Sequence, residues 1–176
     1  SPAGGAAGSF EERAHHEEQR FPGTLVGADP DGDFWFWDFL VAGDPDLGRR
    51  VLPFDAPGID SSSGASARLS LALHGASSTV APDEHQVGVW VNGTAVGEIH
   101  FDGLGRHEAT LSFPQGLLRA SGNALELESR LAPGAPYGFL YIDSFDLRFQ
   151  RELRAVDDRL QFEAGSDGPL TVAGFG

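Results

Sequence analysis

The stretch Tyr137-Gly-Phe-Leu-Tyr-Ile-Asp-Ser-Phe-Asp-Leu-Arg-Phe-Gln150 decides the fold class. Odd positions Phe139, Tyr141, Phe145, Leu147 and Phe149 are expected to share one face of a strand, because successive side chains of a strand alternate. In the second half the other face is polar, with Ser144, Asp146 and Arg148. In the first half it is apolar, with Leu140 and Ile142. A strand buried on both faces at one end and on one face at the other belongs in the middle of a packed antiparallel sheet.

Outward from this stretch, short alternating runs are separated by Gly, Pro, Asp and Asn. Strands are predicted near 34–42, 49–55, 67–75, 86–92, 95–102, 107–113, 123–130 and 137–150. Leu69, Leu71 and Leu73 alternate with Ser70, Ala72 and His74, and Leu125 and Leu127 with Glu126 and Glu128. Val87, Val89 and Val91 face one way and Trp90 the other. Asn92-Gly93 between two such runs signals a tight hairpin, which needs positive φ at both central residues. Strands this short and evenly spaced predict an all-β, antiparallel two-sheet β-sandwich of jelly-roll type.

The 176 residues suit one domain with small appendages. A chain of this size buries roughly 70% of its unfolded surface and folds without staples. It has no cysteine, which excludes disulfides, thiolate metal sites and a cysteine nucleophile. It has no lysine either: its 12 basic residues are arginines, set against 26 acids for a net charge of −14. That charge disfavours nucleic acid and anionic membrane surfaces as partners. No apolar run approaches the roughly 20 residues of a membrane span. Ser1-Pro-Ala-Gly-Gly5 lacks the basic start and apolar stretch of a signal peptide, and no methionine is present. The sequence therefore reads as a processed or excised piece of something longer.

Three segments are expected. Residues 1–20 form a flexible or docking N-terminal segment, 21–152 the sandwich, and 153–176 a hairpin that begins a further unit or serves as a docking tail. Within the first, residues 10–20 suit either a short helical turn or an extended acidic lead-in. The segment has no core of its own, so any order must come from contact. Phe10, its large apolar anchor, is expected to be buried, and Arg13 and Arg20 to reach carboxylates.

Several residues carry the types that chemistry needs. Asp29, Asp31 and Asp33 alternate around a glycine turn, a spacing suited to calcium, which takes hard oxygen ligands on a flexible loop. The competing reading is an Asp/Gly turn whose side chains cap their own backbone. Trp35 and Trp37, two residues apart, would share a strand face and suit sugar stacking or core filling. Trp90, opposite the valines, is the third candidate for ligand contact. His15-His16-Glu17-Glu18 lacks the i, i+4 histidine pair of a helical metal site and reads as a solvated segment. His74, His85, His100 and His107 read as surface strand residues. Asn92-Gly-Thr94 matches a glycosylation sequon that the hairpin turn already explains. No nucleophile, zinc or phosphate-loop signature is present, so no catalytic residue is assigned and the chain is not expected to be an enzyme.

Four segments resemble the β-sandwich module that accompanies the peptidase domain of secreted gingipain-type cysteine peptidases. They are Asp31–Asp38, Val89–Glu98, Gly116–Asn123 with Leu125 and Leu127, and Ala135–Phe145. Val156–Leu160 and Leu170–Gly174 resemble the join to the next domain. The likeness covers most of residues 29–174. It implies a non-catalytic accessory sandwich, secreted and processed in a bacterium, that holds a peptidase domain, a substrate or a neighbouring subunit. The family's catalytic Cys and His lie in a peptidase domain outside this sequence, so none is carried over. Two other classes fit the residues: a carbohydrate-binding module, calcium-stabilised or not, and a structural subunit of an extracellular assembly using strand exchange. Exposed aromatics on one concave face would favour the first of these.

Overall fold

A computed structural model describes residues 9–23 and 35–152. The aspartates at 29, 31 and 33, the expected hairpin at 153–176 and the small-residue lead at 1–8 lie outside the described residues.

The described chain is all-β. Its strands are β1 (Ser9–Glu17), β2 (Phe21–Pro22), β3 (Trp35–Phe36), β4 (Asp38–Val41), β5 (Arg49–Phe54), β6 (Ser66–Gly75), β7 (His85–Val91), β8 (Thr94–Phe101), β9 (Gly105–Pro114), β10 (Asn123–Leu131) and β11 (Phe139–Glu152). One sheet runs β1-β11-β6-β9, with β4 also on β11; the other runs β5-β10-β7-β8. Counted as eight strands, β4 to β11 place the first, eighth, third and sixth in one sheet. The second, seventh, fourth and fifth form the other, which is the jelly-roll order. The Asn92-Gly93 turn is as expected, with φ of 51° and 80°.

Alternation puts Leu69, Leu71 and Leu73 of β6, Val87, Val89 and Val91 of β7 and Leu125 and Leu127 of β10 into one core between the sheets. Leucines and phenylalanines buried this completely contribute about 1.5–3 kcal/mol each. At the end of the sandwich where β11 finishes, buried Gln115 ties the layers. Its amide donates to the Asp60 and Gln150 carbonyls at 2.9 Å each, and its Oε1 accepts from the Gln150 N–H at 2.6 Å.

The deciding strand departs from simple alternation. The register of β11 against β6 shifts between Ile142 and Ser144, so that Asp143 is the extra residue of a bulge. A one-residue insertion inverts the facing of everything on one side of it. Leu140 and Ile142 therefore share the core face with Phe145, Leu147 and Phe149. Phe139 and Tyr141 face outward, and the expectation that five odd residues share one face holds only beyond the bulge.

Of the two conformations expected for residues 10–20, the extended one is found and the helical turn is not. Residues 9–17 are a nine-residue edge strand, antiparallel to Ser144–Glu152 of β11. Strand β4 pairs Phe139–Ile142 on the same edge of β11. Thus β1 and β4 lie end to end along one strand, with the hairpin of β2 and β3 interposed in sequence. The even residues of β1 face the core: Phe10 is 8% exposed, and Ala14 packs against the cluster.

Candidate functional site

The outer face of the β1-β11-β6-β9 sheet is where chemistry-bearing side chains converge. Alternation gives it Glu11, Arg13, His15 and Glu17 from β1. Ser144, Asp146 and Arg148 come from β11, Arg68, Ser70 and Ala72 from β6, and Glu108, Thr110 and Ser112 from β9. The pairing registers align these into rows. One row reads His15, Asp146, Ser70, Thr110 across the four strands; the next reads Arg13, Arg148, Arg68, Ser112.

A trough of about 430 Å³ opens over these rows, with Arg13, His15, Ser144, Asp146, Thr110 and Arg106 among its lining. Its charges are cross-linked. Arg13 Nη2 donates to Asp146 Oδ2 at 2.7 Å, and His15 Nδ1 lies 2.9 Å from Asp146 Oδ1. The Arg13 bond, aided by His15, holds the Asp146 carboxyl below the usual carboxylate range. Bonds to Glu17 and then Asp146 raise the His15 imidazole above its ordinary value. Arg68 and Arg148 both donate to Glu11, at 2.7 and 3.1 Å, and Arg68 first among them holds Glu11 low. Ser70 and Thr110 hydroxyls bond at 2.9 Å, so Ser70 faces a hydroxyl and not His15. The trough can bind and orient polar groups. Within it the imidazole contacts carboxylates, with no serine in hydrogen-bond contact to activate.

The other end of the same face is aromatic. Phe36 stacks on Tyr141 at 4.5 Å and meets His74 at 5.4 Å. Phe39 contacts Phe21 at 5.4 Å and Phe139 at 5.7 Å, with the Arg50 guanidinium 5.2 Å from its ring centre. The β2-β3 hairpin thus roofs the outward rings that the bulge created.

The candidate tryptophans do not assemble. A bend at Trp37, whose N–H donates to the Ile142 carbonyl at 2.9 Å, breaks alternation after β3. Trp37 is consequently a core residue, 4% exposed and stacked on Phe145 at 5.6 Å, and is no ligand contact. Trp35 is 47% exposed, so the two do not share a face. Trp90 lies on the outer face of the second sheet, where Arg130 covers its ring at 5.6 Å. It rests over Gly88, where a Cβ would come within 2.5 Å of the indole.

The histidines divide likewise. His85, expected at the surface, is fully buried, with its ring tilted against Phe101 at 4.5 Å. Its Nε2 lies 3.2 Å from the carbonyls of both Ser77 and Gly103. Beside it, buried Glu84 accepts the Thr79 and Gly103 N–H groups at 2.5 and 2.7 Å, clasping two loops. His16 points into the sandwich rim, stacked on Phe145 at 4.6 Å, and burial lowers its basicity. Neighbouring His15 and His16 therefore sit on opposite faces, which a strand requires and a solvated segment does not.

Among the described residues no group of three or more His, Asp or Glu side chains is placed to hold a metal ion. Asp38 pairs with Arg50 at 2.9 Å, and Asp44 accepts the N–H groups of Asp46 and Leu47. The sequon Asn92 donates its Nδ2 to the Leu117 carbonyl and Asn123 Oδ1, at 2.7 and 2.9 Å. Among the described residues no helix is long and apolar enough to cross a membrane. The signal that would have exposed the trough was the alternation of Glu11, Arg13, His15 and Glu17 with Phe10, Glu12, Ala14 and His16.

No protein-family model matches the chain. No curated protein matches it by sequence. Among solved structures it is similar to dimeric latent PorU from Porphyromonas gingivalis, with a TM-score of 0.60 and 15% identity. The match covers 97% of this chain and 16% of that one, so the chain spans about a sixth of its length. It also matches the CBM36-1 domain of a multidomain xylanase from the hindgut metagenome of Trinervitermes trinervoides, at TM-score 0.38 and 13% identity, over 78% of this chain and 95% of that one. The likeness to PorU is one of fold: a β-sandwich that makes up a small part of a much longer chain.

Proposed function

We propose that this chain is a non-catalytic docking β-sandwich of a longer secreted protein of the gingipain type, and that the trough on its outer face holds a protein partner. The observation that carries the reading is the make-up of that trough. Apart from Leu71 and Ala72, its lining is arginine, carboxylate, imidazole and hydroxyl, with no Trp, Tyr or Phe among it. Sugar recognition by stacking would need a ring platform, and the exposed Trp35 and the covered Trp90 do not provide one on this face. The segment likeness to the gingipain accessory module and the fold likeness to part of PorU support an accessory role.

The partner in this reading is the peptidase domain or a neighbouring subunit in the extracellular space. Calcium on Asp29, Asp31 and Asp33 stays a separate proposal, checked by melting the chain in calcium and in chelator. The test of the main reading is turnover. Purified chain is assayed on unstructured protein, Arg-ended peptides, acetyl esters and xylan. No hydrolysis above a mock purification is expected. Turnover that disappears in a Ser70→Ala or His15→Gln variant would overturn the non-catalytic reading.

A further inference from the structure

The row Arg13, Arg148, Arg68 sets three guanidiniums directly opposite one another on adjacent strands. Like charges in directly opposed positions destabilise a sheet. All three are surface residues, with side chains 58%, 44% and 51% exposed, so packing does not demand them. Two carboxylates answer the three charges. Glu11 is shared by Arg68 and Arg148, and Asp146 by Arg13 and His15. A guanidinium carries five N–H donors, and each of these three commits one nitrogen to these bonds. A local arrangement that sets like charges opposite one another, against the pairing preference of a sheet, is a mark of a functional site.

We propose that this row is a binding site for a carboxylate-bearing, extended peptide segment, whose backbone lies in the adjoining trough. The inference deepens the docking reading and rests on it. Strands lie about 4.8 Å apart, so the row spans roughly 10 Å. Side chains at i and i+2 of an extended peptide lie about 7 Å apart on one side. Two carboxylates so spaced straddle three guanidiniums, and planar forks bind carboxylates in pairs of parallel hydrogen bonds. The hydroxyls of Ser70, Thr110 and Ser144 offer donors and acceptors for the segment's amides. The chain's net charge of −14 does not forbid this. At physiological salt the screening length is about 8 Å, so distant acids are damped while contacts in the row persist.

The experiment monitors the arginine Nε–Hε resonances of ¹⁵N-labelled chain at about 0.15 M salt. The probe is an acetylated, amidated Gly-Glu-Gly-Glu-Gly peptide; the controls are its Gln counterpart and trigalacturonate. Saturable shifts of Arg68 and Arg148 are expected with the acidic peptide and not with the Gln peptide. In the Arg68→Gln, Arg148→Gln double variant, affinity should fall about tenfold or more, as charge-assisted bonds are lost. The double variant should melt within a few degrees of the parent, since relief of like-charge opposition offsets the loss of two exposed pairs to Glu11. Three outcomes overturn the proposal: no saturable shift, equal affinity in the double variant, or tighter binding of trigalacturonate. A marked fall in melting temperature also overturns it, by assigning the row to structure. If the peptide fails to bind and the chain still shows no hydrolysis, the ligand assignment falls while the docking reading stands.

Discussion

The outer face of one sheet behaves in two ways along its length. Near Tyr141 it is roofed: Phe36 lies on Tyr141, and Phe39 is wedged among Phe21, Phe139 and Arg50. Near Asp146 it is open, with a polar trough and exposed arginines. Strands β11, β6 and β9 run beneath both ends, with β4 completing the sheet at the first and β1 at the second. What separates them is one residue, Asp143, whose insertion turns Phe139 and Tyr141 outward while Leu140 and Ile142 stay in the core. A bulge makes outward aromatics, outward aromatics need cover, and the hairpin of β2 and β3 supplies it. The backbone itself thus divides this face into a roofed end and an open, polar end.

Removing the divider should have the largest effect. Deletion of Asp143 brings β11 back into strict alternation and forces Leu140 and Ile142, both fully buried, out of the core or the register to slip. Exposing those two side chains alone is worth about 3–6 kcal/mol. The variant is expected to lose its cooperative denaturant transition or to show a midpoint lower than that of Phe36→Ala. A near-parental midpoint would mean that the bulge does not divide the face.

Next is the roof itself. Phe36→Ala removes a buried ring from the stack on Tyr141 and should cost about 3 kcal/mol in equilibrium unfolding. A loss under about 1 kcal/mol, the scale of a surface change, would show that the hairpin is a loose cover.

A smaller pair of effects separates the two faces of β1. His16 is held below its ordinary basicity by burial, so the native state binds fewer protons there than the unfolded state. Its contribution is complete above about pH 6.5 and is lost as pH falls from there through the lowered native value. His15 is held above its ordinary value by Glu17 and Asp146. Its contribution is complete below about pH 6.5 and fades as pH rises through the raised native value. The two oppose each other in the parent. His16→Phe should therefore tilt the stability profile toward acid, and His15→Gln toward alkali. Urea midpoints from about pH 5 to pH 8 measure both tilts. Matching slopes in the two variants would contradict their placement on opposite faces.

The smallest effect belongs to the open end. Ser70→Ala removes the hydroxyl pair with Thr110 and should change stability by no more than about 0.5 kcal/mol. A larger loss would make the trough part of the scaffold and erase the contrast with the roofed end.

How much of this was legible can be judged residue by residue. Leu69, Leu71, Leu73, Val87, Val89 and Val91 announced buried strands because period 2 is a local property of the chain. Asn92-Gly93 announced its turn because positive φ is a property of those residues. Phe10 was marked for burial because nothing else in its segment offered an apolar anchor, and it is 8% exposed. The trough was not legible. Arg13, Arg68 and Arg148 are 55 and 80 residues apart in steps along the chain, and only strand pairing sets them side by side. Trp35 and Trp37 were misplaced because a bend at residue 37 interrupts alternation, and the Ile142 carbonyl that anchors the bend is 105 positions away.

The sequence by itself determined that this chain is built of strands, where most of them lie and many of the side chains that fill the core. Those features arise from side-chain alternation and turn chemistry, which act within a few residues. Tertiary structure alone decided the bulge at Asp143, the edge of β11 shared by β1 and β4, and the arginine row. Each depends on register between distant strands, and register is settled by which pairing buries the most apolar surface.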